Sequence, residues 1–492
     1  IKELLNKPCD LSLDAQIKND DITIKEFSVS EDTEQKTLPR LSVTGQILNK
    51  KEPVLKNLKI RIPESITASM NFMGGEEISL NGDITLNNTL KDPDIKGNIN
   101  IHRYAVKNLY TLVRNANVSL NNDNIRVIAP DVSVNTSKFN ILLDIEPKLA
   151  DVITVSNAQV NSLNLDLNTL FSLIEKERNP FASAVVNVKK GSATINNFKI
   201  LDLKAHDISS DFTLRNNVLK IEGISAAAYN GKVSGAASYD FNHAQLSLNL
   251  IGKGLDIKNS LYDLCKLEDN LGGTADFTTS VSMKTGDYNS VIKSLSGKVT
   301  FNAKEGKMGS LGKFEYYMNA QNLLYHGLLN ATLNRIVDAV KPDNTARFKT
   351  AKGSLFLQNG YLIAEEIRTC GPNMSLYMKG RYNMLSNLAN IDIYGRISDD
   401  IKSKMGSFAD VSISELVNGQ PSKKNVTIQT VPASLIDDIY LWNREDNRNT
   451  NTFKVNVYGN INYPSSINSF TWIIPDESKD DGLPEFSEIP QL

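Results

Sequence analysis

Histidine, cysteine and paired carboxylates are the residue types that most often carry chemistry, and this chain has few of them in useful places. His102, His206, His243 and His326 fall on separate segments without metal-ligand spacing. Cys9, Cys265 and Cys370 are odd in number, far apart and without a CxxC pair. That pattern excludes a disulfide framework and a structural zinc site, and predicts buried or half-buried free thiols. Asp437 and Asp438 are paired only by adjacency. No GxSxG elbow and no P-loop occurs. Gly74-Gly75 and Gly272-Gly273 lead into strand patterns, so they cannot cradle a phosphate on a helix N-terminus. The residues predict a protein that is not an enzyme and uses no cofactor and no metal.

The chain has 492 residues and a formal net charge of −2, with a pI near 6.2. There is no global basic signal for nucleic acid. Lysines in stretches such as LKNLKIRI (55–62) occupy the polar side of a strand pattern, where they discourage edge-to-edge aggregation. Inside the chain no apolar run approaches the roughly 20 residues of a membrane helix. The chain begins at Ile1, so an anchor or signal segment is expected upstream.

The elements that would position any site are strands. Leu41, Val43, Gly45 and Ile47 alternate with polar neighbours, as do Ile78, Leu80, Gly82, Ile84 and Leu86. The same period of two recurs at Val233 and Gly235, at Leu246, Leu248 and Leu250, and at Gly297, Val299 and Phe301. It returns at Leu376, Met378 and Gly380, at Ile391, Ile393 and Gly395, and at Val455, Val457 and Gly459. Asn216-Asn217, Asn230-Gly231 and Asn359-Gly360 punctuate these runs as turns. The expected fold is mainly β, a long antiparallel meander with one apolar face and a few short helices. Helical spacing appears at 167–179, 258–270, 314–340 and 411–419.

On the order of 25–30 strands at about 4.8 Å each would make a sheet roughly 120–140 Å long. Such a sheet splits into filled sandwiches or curls into an elongated hydrophobic groove. An unfilled groove exposes more apolar surface than a soluble protein tolerates and needs a ligand, for which a lipid acyl chain is the natural fit. Glycine recurs on the apolar face in strand after strand, which suggests systematic curvature. The expected groove lining is Val233, Leu246, Leu248, Leu250, Val299, Phe301, Leu376, Met378, Ile391, Ile393, Val455 and Val457.

Residues 231–264 (GKVSGAASYDFNHAQLSLNLIGKGLDIKNSLYDL) and 271–311 (LGGTADFTTSVSMKTGDYNSVIKSLSGKVTFNAKEGKMGSL) resemble the C-terminal region of the bacterial AsmA family. Residues 346–397 look like the family's next strand set, and LKDPDIKGNINI (90–101) is similar to the strand entry of this family and its TamB relatives. The resemblance rests on the order of the motifs and covers roughly 200–475. It implies a periplasmic protein of a bacterium with two membranes, held to the inner membrane by an N-terminal helix. It also implies a role in outer-membrane biogenesis, moving phospholipids between the membranes along a hydrophobic β-groove. Two alternatives stand beside it: an assembly factor that holds strands of outer-membrane proteins on its sheet edges, and a structural β-sandwich array. The expected organisation is a repetitive strand segment (1–165), a helix-containing connector (166–200), an AsmA-like β region (201–475) with a helical insertion around 312–340, and an acidic disordered tail (476–492).

Overall fold

The computed structural model describes residues 9–31, 40–48, 52–70, 75–89, 92–147, 152–169, 185–200, 202–265, 272–286, 288–307, 347–399, 429–432, 439–442, 451–460 and 467–476. The expected helices at 314–340 and 411–419, most of 167–179, and the acidic tail lie outside these residues. Nearly everything described is strand. Twenty-four strands belong to one mixed sheet that does not close into a barrel. The mainly-β meander predicted from the alternation is therefore the observed fold.

The chain divides into two compact units, residues 1–227 with 238–242, and residues 228–237 with 243–492. Unit one holds β1 (Cys9–Lys18), β2 (Asp21–Glu31), β3 (Leu41–Leu48), β4 (Val54–Met70), β5 (Glu76–Thr89), β6 (Asp92–Val106), β7 (Thr111–Asn121), β8 (Asn124–Val134) and β9 (Ser137–Ile145). It continues with β10 (Val152–Asp166), β11 (Val185–Ile200), β12 (Leu203–Arg215) and all but the last residue of β13 (Val218–Ala228). From β1 to β10 each strand pairs antiparallel with the next.

The order then departs from the expected antiparallel meander, because β10 and β11 run parallel, with Val155 opposite Val188 and Ala158 opposite Gly191. Parallel neighbours need a connection of a dozen or more residues, and residues 167–184 supply that length. The segment read from sequence as the connector 166–200 thus contains the whole of β11.

The division passes through β14 (Gly231–Asp240). Unit two continues with β15 (Gln245–Asp256), α1 (Ile257–Cys265), β16 (Gly272–Lys284), α2 (Tyr288–Ser294), β17 (Ser296–Lys307), β18 (Arg347–Gln358), β19 (Tyr361–Cys370), β20 (Met374–Asn383) and β21 (Leu388–Ile397). It ends with β22 (Gln429–Pro432), β23 (Asn451–Asn460) and β24 (Ile467–Asp476). Strands β15 to β21 pair in sequence, β23 joins β21 and β24 joins β23, all antiparallel, while β22 joins β24 in parallel.

Turn chemistry fixes where the strands reverse. Asn216 and Asn217, and Asn359 and Gly360, are consecutive residues at positive φ, the requirement of two-residue hairpin turns that match strand twist. The turn expected at Asn230-Gly231 uses Tyr229 and Asn230 instead, at φ 48° and 62°. The Tyr229 hydroxyl reaches Asp263 Oδ2 on α1 at 3.0 Å. Helix α1 starts at Ile257 because Asp256 caps it, accepting from the Asn259 N–H at 2.8 Å.

The polar face of unit one is cross-linked in rows. Asn117 donates to Asn100 at 2.9 Å, Ser119 donates to Asn98 at 2.8 Å, and Arg126 Nε donates to Asp144 at 2.8 Å. The Arg126 guanidinium, then the Asn124 amide, hold the Asp144 carboxyl below the usual carboxylate range. A depressed native value stabilises the fold above the unfolded pKa, near 3.9, and loses that contribution as pH falls through the native value. Asp144→Asn should therefore lower the melting temperature at pH 7 and have a vanishing effect near pH 2, checked by thermal denaturation across that range. At Gly82, φ is +153° and an added Cβ would sit 2.2 Å from the Asn98 carbonyl oxygen. Gly82→Ala should cost about 1–3 kcal/mol in urea denaturation.

Candidate functional site

The register decides which side chains share a face, since residues directly opposite across a strand pair point the same way. In unit two one row runs Leu248–Val281–Gly297–Leu357–Leu362–Tyr382–Ala389–Gly459. The next runs Leu250–Thr279–Val299–Leu355–Ala364–Gly380–Ile391–Val457. A third runs Gly252–Phe277–Phe301–Gly353–Ile367–Met378–Ile393–Val455–Phe470. A fourth runs Leu255–Ala275–Ala303–Ala351–Thr369–Leu376–Gly395–Phe453–Trp472. None of the four contains Asp, Glu, His, Lys or Arg.

Ten of the twelve residues predicted as lining fall in these rows. Leu246 lies one step beyond them, opposite Met283. Val233 is two residues from Gly235 on β14, and a Cβ at Gly235 would lie 2.9 Å from Leu250 Cα. The face also contains residues outside the expected lining, chiefly Phe277, Leu355, Leu357 and Ile367. Phe277, Leu355 and Leu357 keep simple alternation, whereas the signal of Ile367 is out of phase. Leu362 and Ala364 occupy even positions of β19 and Ile367 an odd one, and the register shifts between them. A β-bulge there restores the face that simple alternation would have lost.

Burial along the rows is uneven. Val299, Leu355, Ala364, Ile391 and Val457 in the second row, and Phe301, Ile367, Met378 and Ile393 in the third, are all half-buried. The fourth row is packed. Leu255, Ala303, Ala351 and Leu376 are buried, and Ile257 at the start of α1 packs with Ala303, Phe348 and Ala351. Leu376, predicted as lining, therefore belongs to the packed end of the strands. On the opposite face of the same end, Ile439 and Ile473 pack with Tyr377. Ser375 Oγ donates to the Tyr440 carbonyl at 2.6 Å, and the Trp442 N–H donates to Gly371 at 3.0 Å. Cys370 is a buried free thiol there, and burial pushes its pKa up.

Glycine and phenylalanine make a recurring pair across strands. Gly252 faces Phe277, Phe301 faces Gly353, Gly306 faces Phe348 and Gly395 faces Phe453. In each case the ring lies over the glycine. A Cβ at Gly252 would be 2.2 Å from Phe277 Cε1, and one at Gly395 would be 2.1 Å from Phe453 Cζ. A ring lying flat on its neighbour's backbone keeps the face low while covering the hydrogen bonds that glycine leaves bare. Gly191 and Phe212 do the same in unit one.

His102, His206 and His243 are exposed on separate elements, and His206 Nδ1 lies 2.8 Å from Asp207 Oδ2. Among the described residues no three His, Cys, Asp or Glu side chains gather as metal ligands, and no helix is long and apolar enough to cross a membrane. The chain matches no known family, no curated protein and no solved structure.

The uneven burial has a measurable consequence. Leu376→Ala removes packed atoms and should cost about 3 kcal/mol, whereas Ile393→Ala, on the half-open row, should cost about 1 kcal/mol. Urea denaturation of the two variants checks the difference.

Proposed function

We propose that this chain carries lipid acyl chains on the apolar face of β15–β23, as a non-enzymatic lipid-transfer protein of the AsmA type. One observation supports the reading above others. The second and third rows are uncharged and continuous over eight strands, yet Val299, Leu355, Ala364, Ile391 and Val457 of the one and Phe301, Ile367, Met378 and Ile393 of the other are only half-buried. In a filled sandwich such positions are buried by the facing sheet. At about 4.8 Å per strand the rows are roughly 34 Å long. An acyl chain laid on them gains about 25 cal/mol per Å² of apolar surface removed from water, several kcal/mol per chain, while its head group stays in water.

The mechanism is passive sliding. No side chain in the open rows can hold a charged head group, so the track favours no stopping point. The order of motifs in 231–397 supports a place in the AsmA family, and with it the periplasm of a two-membrane bacterium, an inner-membrane anchor and phospholipid as cargo.

A second reading has its own observation. Leu11, Leu13 and Ile17 on β1 are each about two-thirds exposed, and among the described residues β1 pairs only with β2. An apolar strand edge suits holding another polypeptide in extended form, as an outer-membrane assembly factor would.

Native mass spectrometry with lipid extraction separates the two. The purified protein should carry phospholipid. Leu248→Asp combined with Phe301→Arg should remove it, with circular dichroism and melting temperature preserved. Copurifying polypeptide without lipid would favour the second reading, and global unfolding of the double variant would show a packed core and overturn the track.

A further inference from the structure

The opposite, polar face of unit two carries a cleft that the apolar track does not use. It has a volume of about 910 Å³ and lies over β17–β21, within the range of small-molecule sites. The β19 bulge lies in its lining. Glu365 is the extra residue between Ala364, opposite Leu355, and Glu366, opposite Ser354. Close by, Gly353 and Gly380 of the apolar rows contribute backbone to the cleft. Bulges commonly stand beside binding sites because they bend one strand and re-aim a side chain.

The chemistry of the cleft is selective. Lys352 and Lys379 bring two ammonium groups to it, and Asn302, Asn390 and Glu365 bring amide and carboxylate groups. Arg381 stands in register between Ile363 and Asn390, both of which line the cleft. Its guanidinium lies 5.6 Å from the Tyr361 ring centre. Its Nε and Nη2 are buried and have no hydrogen-bond partner among the described residues. The neighbouring Arg368 differs, since it pairs with Glu366 and lies 5.4 Å from the Tyr377 ring centre. Arg381 is half-buried as a residue, but two guanidinium nitrogens buried without an acceptor are costly, and their planar donors match a phosphate or carboxylate.

We infer that this cleft binds a sugar bearing a single phosphate. Arg381 and Lys379 would take the phosphate, and Asn302, Asn390 and Glu365 the hydroxyls. Three features narrow the class. The volume far exceeds a bare ion. The Glu365 carboxylate opposes a polyphosphate. Tyr377, the cleft's aromatic residue besides Phe301 of the apolar row, is 5% exposed and cannot stack a nucleobase. The same chemistry occurs in free sugar phosphates and in the head groups of glycolipids.

The test is isothermal titration calorimetry of the whole chain with glucose 1-phosphate, with dodecyl glucosyl phosphate below its micellar concentration, and with glucose and inorganic phosphate separately. Saturable binding of one of the first two is expected, at least tenfold tighter than of glucose or phosphate. Equal affinity for both esters assigns a free sugar phosphate, and at least tenfold preference for the alkyl ester assigns a glycolipid head group. Arg381→Met should weaken binding at least tenfold and raise the melting temperature of the ligand-free protein, since it removes an unmatched buried charge. Lys352→Met, at an exposed position, should weaken binding without changing the melting temperature. No saturable heat with either ester overturns the assignment. So does unaltered affinity in both variants, or a fall in the ligand-free melting temperature of Arg381→Met accompanied by unaltered affinity in Lys352→Met.

Discussion

A strand's side chains alternate with a period of two, and this sheet depends on keeping that period in phase from strand to strand. A one-residue slip would turn an apolar set to the polar side. The chain slips repeatedly, and each slip is absorbed by a bulge. On β2, Phe27 and Val29 are odd-numbered while Ile22 and Ile24 are even, and the β1–β2 register shifts between Asp14 and Ala15 to accommodate them. On β15, Leu246, Leu248 and Leu250 give way to Leu255, and the β15–β16 register shifts between Gly252 and Leu255. The apolar face is thus a product of pairing, and the bulges are the corrections that preserve it.

This explains which parts were legible in the sequence. Strand existence and several turns were legible because period two and paired positive-φ residues are local signals. Strand extent was not always legible. Leu58–Ile62 and Ile66–Met70 look like two strands split at Pro63, yet β4 runs through all of them, with a register shift between Ile62 and Ile66. The parallel pairing of β10 with β11 was illegible because direction depends on the path of 167–184, which no residue pattern encodes. Helix α2 was missed because seven residues carry too little helical periodicity. Of the candidate face, Ile367 lies beyond a bulge and out of phase with Leu362 and Ala364, so local alternation does not reach it. The flat-lying rings need both partners of a Gly–Phe pair to be placed, and the pairing is known only once the register is.

A sheet whose central apolar rows are only half-buried among the described residues draws stability from within itself. Cross-strand pairs contribute roughly 0.2–1 kcal/mol each, and this chain uses both faces for them. On the polar face of unit two, Lys454 lies 3.2 Å from Asp392 and 5.2 Å from the Tyr394 ring centre, and Asn456 donates to Asp392 at 2.8 Å. Burial pulls the Lys454 pKa down, but Tyr394 and Asp392 together hold it above its ordinary value, as a paired cation should be. The packed end supplies the rest. There Ile257, Phe348 and the alanines bury one side of the sheet, and Tyr377, Ile439 and Ile473 bury the other.

The backbone separates the two faces, and that separation limits what each can do. The polar cleft and the apolar rows draw mainly on alternate residues of the same strands, Lys379 on one face and Met378 on the other, while Phe301, Gly353, Ala364 and Gly380 of the rows also border the cleft. A lipid whose head occupied the cleft could not lay its chains on the rows without passing around a strand end. On the proposed reading, a lipid in transit keeps its head group in water beside the rows. The cleft therefore acts on a different molecule, or on a head group presented from outside the track. What couples the two faces is the β19 bulge, which borders the cleft on one side and brings Ile367 into line with Met378 on the other. A change at Glu365 that removed the bulge would alter both faces at once, through register rather than through contact.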